Sequence, residues 1–132
     1  ERGDARAIDA VRALLEHARW DVRRVAVEAL AQVVQKGDAQ AVRVLAWCLQ
    51  DTHVDVRRAA ERALGNVAEK GDSGAILAVS ALLEHADMGI RRSSVRALSQ
   101  VSEKGDEVVI MAVVARLEHV SGEVRQAAVR AL

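Results

Sequence analysis

The sequence predicts an all-α solenoid, and three observations lead there. A basic-Gly-Asp tripeptide recurs at Arg2-Gly3-Asp4, Lys36-Gly37-Asp38, Lys70-Gly71-Asp72 and Lys104-Gly105-Asp106, so the chain is one 34-residue unit repeated in strict register. Other landmarks keep step with it: Ile8, Val42, Ile76 and Ile110; Leu15, Leu49, Leu83 and Leu117; Arg23, Arg57, Arg91 and Arg125; Leu30, Leu64, Leu98 and Leu132. Pro, Tyr and Phe are absent, which leaves a composition that favours helix over strand. A unit this short cannot bury its own apolar face, so it must stack on its neighbours. The units are 2–35, 36–69, 70–103 and 104–132, forming one array with a truncated fourth unit, and it reads as a piece of a longer array.

Each unit supplies two helices. Gly followed by Asp ends one helix and starts the next: Gly permits the backbone of a tight turn, and Asp4, Asp38, Asp72 and Asp106 are placed to accept from the first free N–H groups. The first helix then runs about 12 residues, as from Ala39 to Gln50, with apolar Ala41, Val42, Leu45, Cys48 and Leu49 at helical spacing. After a short break the second helix begins; in unit two its apolar stripe is Val56, Ala60, Ala63, Leu64 and Val67. Asp87 and Ser121 are good caps for these second helices, whereas Arg19 and His53 are poor ones. Small residues recur on both helices (Ala7, Ala41, Ala75; Ala26, Ala60, Ser94, Ala128) and allow close approach.

Bulk properties exclude several classes. Nineteen basic and nineteen acidic residues cancel to a net charge of zero, so no global field favours a polyanion or a membrane surface. The single cysteine, Cys48, rules out an internal disulfide and a cysteine-based zinc site, in keeping with a reducing, intracellular, cytoplasmic setting. No segment is long and apolar enough to span a bilayer.

The second helices, DVRRVAVEALAQV (21–33), DVRRAAERALGNV (55–67), GIRRSSVRALSQV (89–101) and EVRQAAVRAL (123–132), resemble the Val-Arg-x-x-Ala-x-x-Ala-Leu pattern of short HEAT-like repeats of the phycobilisome-lyase type. The resemblance implies a right-handed α-α superhelix whose second helices line a concave surface. It implies little about function. The family's loop Asp is matched only by Asp51; His17, His85 and His119 replace it, which puts the usual Asp-to-Arg ladder between units in question.

On the second helices, 100° per residue places Arg58 and Arg62 opposite the apolar stripe. The same columns hold Arg24, Arg92, Arg96 and Arg130, a ridge suited to anion binding, with Val27, Val95 and Val129 alongside for apolar contact. The bland alternative is a solvated face neutralised by Asp21–Arg24 and Asp55–Arg58 pairs. Arg23, Arg57, Arg91 and Arg125 flank the stripe and are expected to bond loop carbonyls and carboxylates between units. Trp47 stands where other units have alanine and is a candidate interface anchor. Trp20 is expected to plug a loop, Met88 and Met111 to fill packing gaps, and Arg116 to interrupt an apolar column. Glu16-His17, Glu84-His85 and Glu118-His119 invite a metal reading. However, the helix spacing of about 8–10 Å separates equivalent histidines too widely to share an ion at about 2 Å.

These readings converge on a non-enzymatic scaffold without a cofactor, binding a protein or peptide, acidic in character, through the arginine ridge. Nucleic-acid binding, as in HEAT-like glycosylases, is the alternative that zero net charge and two tryptophans disfavour. A fragment of a lyase-type enzyme is the third reading, with no catalytic constellation to support it.

Overall fold

The computed structural model describes residues 2–117 and 129–130, and the described residues contain helices and no strand. In chain order these are α1 (Arg2–Leu15), α2 (Trp20–Val33), α3 (Ala39–Cys48), α4 (Val54–Val67), α5 (Ser73–Ser80) with a 3-10 turn (Ala81–Glu84), α6 (Met88–Val101) and α7 (Glu107–Leu117). Within units α1 packs on α2, α3 on α4 and α5 on α6; between units α2 packs on α4 and α4 on α6, while α1, α3, α5 and α7 form the other layer. The chain is therefore an α solenoid of helix pairs. His119, Ser121, Arg125 and Gln126, and the side chain of Arg116, lie outside the described residues.

The core is a continuous strip between the two layers. Val56, Ala59, Ala60, Ala63, Leu64 and Val67 of α4 are buried, in line with the expected stripe. Leu30, Leu64 and Leu98, one per second helix, are among the largest fully buried side chains, and each contributes about 1.5–3 kcal/mol through burial. Alanine and serine where second helices meet (Ala26, Ala60, Ser94) keep the backbones close.

The Gly-Asp step does two jobs. Gly37, Gly71 and Gly105 adopt φ of 87°, 81° and 78°, a region that side-chain-bearing residues avoid. The following carboxylates cap the next helix: Asp38 accepts from Ala41 N–H at 2.9 Å, Asp72 from Ala75 N–H at 2.8 Å, and Asp106 from Val108 N–H at 2.9 Å. The step also closes each unit on itself, because Gly37 N–H donates to Val67 O at 2.6 Å and Gly71 N–H to Val101 O at 2.8 Å. Each turn is thus fastened to the end of its own unit's second helix.

Four expectations need correction. Asp4 lies inside α1 and so is not at the helix N-terminus expected of it. His53, expected to be a poor cap, accepts from Asp55 N–H through Nδ1 at 3.1 Å. In unit three the first helix is not continuous: α5 is 8 residues long and then tightens into the 3-10 turn, where Ser80 Oγ donates back to Leu77 O. Met88 and Met111 fill no gap, being 51% and 72% exposed.

Candidate functional site

Two surfaces collect the functional candidates, the loop edge and the second-helix face. On the loop edge, Arg23 bonds its own loop through Nη1 to His17 O at 2.8 Å and Ala18 O at 3.0 Å. It also grips Asp51 of the next unit, with Nε to Oδ2 at 2.9 Å and Nη2 to Oδ1 at 3.1 Å. This bidentate bond, partly sheltered from water, raises the Arg23 pKa above its ordinary value. Asp51 Oδ1 also accepts His53 N–H at 2.9 Å, so one carboxylate shapes its loop and locks two units together.

One unit further on, the same column reads His85. Its Nδ1 accepts Asp87 N–H at 3.0 Å, and His17 Nδ1 likewise accepts Arg19 N–H at 3.1 Å, so histidine reproduces the loop-shaping half of Asp51. It does not reproduce the other half. An Nδ1 that accepts leaves Nε2 carrying the proton, and a neutral imidazole in that state offers Arg57 no acceptor. Arg57 accordingly bonds Asp51 O at 2.8 Å, Thr52 O at 3.3 Å and Ser93 Oγ at 3.2 Å, while its Nη2 has no hydrogen-bond partner among the described residues. Arg91 is buried and bonds His85 O at 2.7 Å and Ala86 O at 2.9 Å.

Asp87 caps α6 by accepting Ile90 N–H at 3.1 Å. That bond, with the Gly89 N–H and the nearby Arg57 and His85, outweighs desolvation and holds its carboxyl below the usual range. At the opposite end of the array, Trp20 begins α2 and stacks on His53, with ring centroids 3.9 Å apart and planes at 8°. The expected role of Trp20, closing a loop over the adjoining unit, has this stack as its geometry. Cys48 is buried and its thiol is pushed up to about 12 by desolvation and by Asp51, which keeps it protonated.

The second-helix arginines fall into two groups. Arg24 reaches Glu28 at 3.5 Å and lies 5.8 Å from the Trp20 ring; Arg62 reaches the same Glu28 at 3.8 Å from the next unit; Arg96 bonds Glu61 at 2.9 Å across the next junction. Arg58, Arg92 and Arg130 are exposed and have no ion pair among the described residues. The anticipated Asp21–Arg24 pair is replaced by Asp21–Arg19 at 2.7 Å, and the Asp55 carboxylate lies 4.0 Å from His53 Nδ1 with no ion pair to Arg58. Arg19 holds the Asp21 carboxyl below its ordinary value in spite of desolvation.

Residue reading missed Glu61, which is buried. A signal was present, since Glu61 is the one charge in the column Val27, Glu61, Val95 and Val129. Its Oε2 and Arg24 Nε are buried without a hydrogen-bond partner among the described residues. Val27 itself is fully buried and cannot line the surface as expected, because α2 packs on α4 through that side; Val95 is half-buried and Val129 exposed.

Trp47, on α3, is 68% exposed. It stands between two clefts, one of about 460 Å³ that includes Leu15, Asp51, Arg57, His85, Asp87 and Ile90, and one of about 420 Å³ that includes Arg12, Glu16, Arg43 and Val44. Among the described residues no three His, Cys, Asp or Glu side chains are grouped so as to hold a metal ion, and no helix is long and apolar enough to cross a membrane.

Stacked helix pairs, a shared core strip and outward-facing charged columns define a helical repeat protein. The HEAT repeats family model matches residues 1–65 and 44–132, and the chain belongs to that family. The solved structures that resemble it include the designed armadillo repeat protein YIII(Dq)4CqI, at 22% identity and a TM-score of 0.50 over 95% of this chain and 62% of that one. An engineered protein from a structural genomics consortium matches at 24% identity and a TM-score of 0.49, over 94% of this chain and 61% of that chain. This chain thus spans less than two thirds of either relative. A search of curated proteins finds no significant match.

Proposed function

We propose that this chain is a protein-binding scaffold that takes an acidic peptide segment along its second-helix surface, with Arg58 and Arg92 as the primary contacts and Arg130 extending the track. The supporting observation is the division among the arginines. Arg62 and Arg96 spend their charge on Glu28 and Glu61 at unit junctions, whereas Arg58 and Arg92 occupy one column in neighbouring units with no ion pair among the described residues. Like charges on adjacent helices, about 8–10 Å apart, match the carboxylates of an extended acidic strand better than they match one another. HEAT and armadillo folds commonly mediate protein–protein contacts, which agrees with the reading, as does zero net charge, which disfavours a polyanion such as nucleic acid.

The test is fluorescence anisotropy with a labelled Asp/Glu-rich peptide at several salt concentrations. Binding should weaken modestly with salt and be lost in the double variant Arg58→Glu, Arg92→Glu, whose circular dichroism stays helical. Binding indifferent to both the reversal and the salt sinks the assignment. A steep salt dependence together with tighter binding of single-stranded DNA would replace the peptide with nucleic acid.

A further inference from the structure

At one junction of the loop edge an arginine of one unit clamps a carboxylate of the next, and at the following junction that carboxylate is missing. At the first junction Arg23 closes on both oxygens of Asp51. At the second junction Arg57 holds the equivalent position, but His85 stands where the carboxylate belongs, with its Nδ1 committed to Asp87 N–H. Among the described residues Arg57 Nη2 has no hydrogen-bond partner, and it lies beside a cleft of about 460 Å³. Around Arg57 the cleft has Leu15, Trp47 and Ile90 as apolar wall and Gln50, Asp51, Thr52, His85 and Asp87 as polar rim, the Asp51 carboxylate being held by Arg23.

We infer that this cleft binds a carboxylate borne on an aromatic or aliphatic body, with the carboxylate seated on Arg57 Nη2, the atom that in Arg23 meets Asp51 Oδ1, and the body lying against Trp47. The site is separate from the second-helix arginines and does not depend on the acidic-segment reading. Three features make the fit chemical as well as steric. Arg57 Nη2 is the open corner of the guanidinium, since Nε donates to Ser93 Oγ and Nη1 to two loop carbonyls, and it offers a carboxylate oxygen a charge-assisted hydrogen bond. The His85 Nε2–H supplies a second donor at the rim. Trp47 provides a large flat surface that is already paid for in exposure, since covering it releases water from an apolar face. The limiting factor is Asp87, whose charge also faces Arg57, so a monocarboxylate is accepted and a dicarboxylate is repelled.

Two substitutions at one position separate this from a merely open groove. Asn at 85 can still accept the loop N–H but leaves Arg57 free; Asp at 85 accepts the same N–H and also fills the Arg57 fork from within. The probe is phenylacetate, with phenylacetamide as its neutral isostere, followed by the Trp47 indole and Arg57 Nε resonances in 1H–15N spectra of the full chain. Saturable shifts at both resonances with phenylacetate, at least about tenfold weaker with the amide, retained in His85→Asn and abolished in His85→Asp, are the expected result. His85→Asp should also raise the thermal midpoint, which shows that it folds and that its carboxylate has reached Arg57. Equal response to acid and amide, no saturable response, or full binding by a stabilised His85→Asp variant overturns the assignment.

Discussion

The junction between units one and two and the junction between units two and three share a backbone plan and differ in charge. At the first, Arg23 is closed on Asp51 at the loop edge, and Arg24 and Arg62 share Glu28 on the helix face. At the second, Arg57 has no carboxylate on its fork, and only Arg96, through Glu61, is neutralised on the helix face; Arg58 and Arg92 are unpaired among the described residues. At the first junction Arg23, Arg24 and Arg62 each have an ion-pair partner, whereas at the second Arg57 faces Asp87 without an ion pair to it and Arg58 and Arg92 have none among the described residues. In a repeat protein the structural work is done by residues that obey the register, so departures that leave charge unspent mark the places where a partner can be received.

The largest expected effect lies in the ladder. Asp51→Ala removes the loop acceptor and strands Arg23, whose side chain is only 14% exposed, so it should lower stability by about 2–3 kcal/mol in chemical denaturation. His85→Ala removes only a neutral loop bond and should lower it by about 0.5–1.5 kcal/mol. Equal losses at the two positions would erase the distinction between the junctions.

The next effect should be the same on both sides, which makes it a control. Asp38→Ala and Asp72→Ala each delete a cap bond of nearly equal length, and each should cost about 0.5–2 kcal/mol. A cap loss confined to one unit would mean that the stability of the array is uneven for reasons other than the charges.

A smaller change sharpens the comparison from the other direction. Glu61→Val installs the residue that the register places at Val27 and Val95, removes a buried carboxylate oxygen that has no partner, and frees Arg96, which is 44% exposed. Stability should shift by no more than about 1 kcal/mol, because replacing a buried ion pair with an apolar residue is often neutral or favourable when the remaining partner can reach water. Affinity for an acidic peptide should rise, with Arg96 joining Arg58 and Arg92. Severe destabilisation would show that the Glu61–Arg96 bond holds the junction and that the orphaned oxygen is satisfied in solution.

Much of the fold was legible because it follows from periodicity. The recurrence of Gly-Asp and the Val56–Ala60–Leu64 spacing fix where helices begin and which face each buries, and both come from backbone geometry that varies little between units. Asp4 shows the limit: the same Gly-Asp letters that start α3 and α5 lie within a helix at Gly3-Asp4. The charged surface was only half legible. Helical angle puts Arg58 and Arg62 on one face, but which acid each meets depends on the stagger of neighbouring helices and on side-chain reach, so Arg62 finds Glu28 in its own column while Arg96 finds Glu61 in the adjoining one. The cap formed by His53 and the loop bonds of His17 and His85 were hidden for a different reason, since they depend on which ring nitrogen bears the proton.

The central claim is that spare charge, more than total charge, determines where the partner binds. The most direct measurement compares two charge-altered proteins of equal net charge change in one peptide titration at fixed ionic strength. The first carries Arg58→Glu and Arg92→Glu; the second carries Arg62→Glu and Arg96→Glu and so alters the paired arginines instead. The account predicts that the first loses at least about tenfold in affinity with its fold intact. The second should lose clearly less affinity but more stability, since Glu28 and Glu61 then face like charges. Equal losses of affinity in the two proteins, or a larger loss in the second at matched helicity, would contradict it.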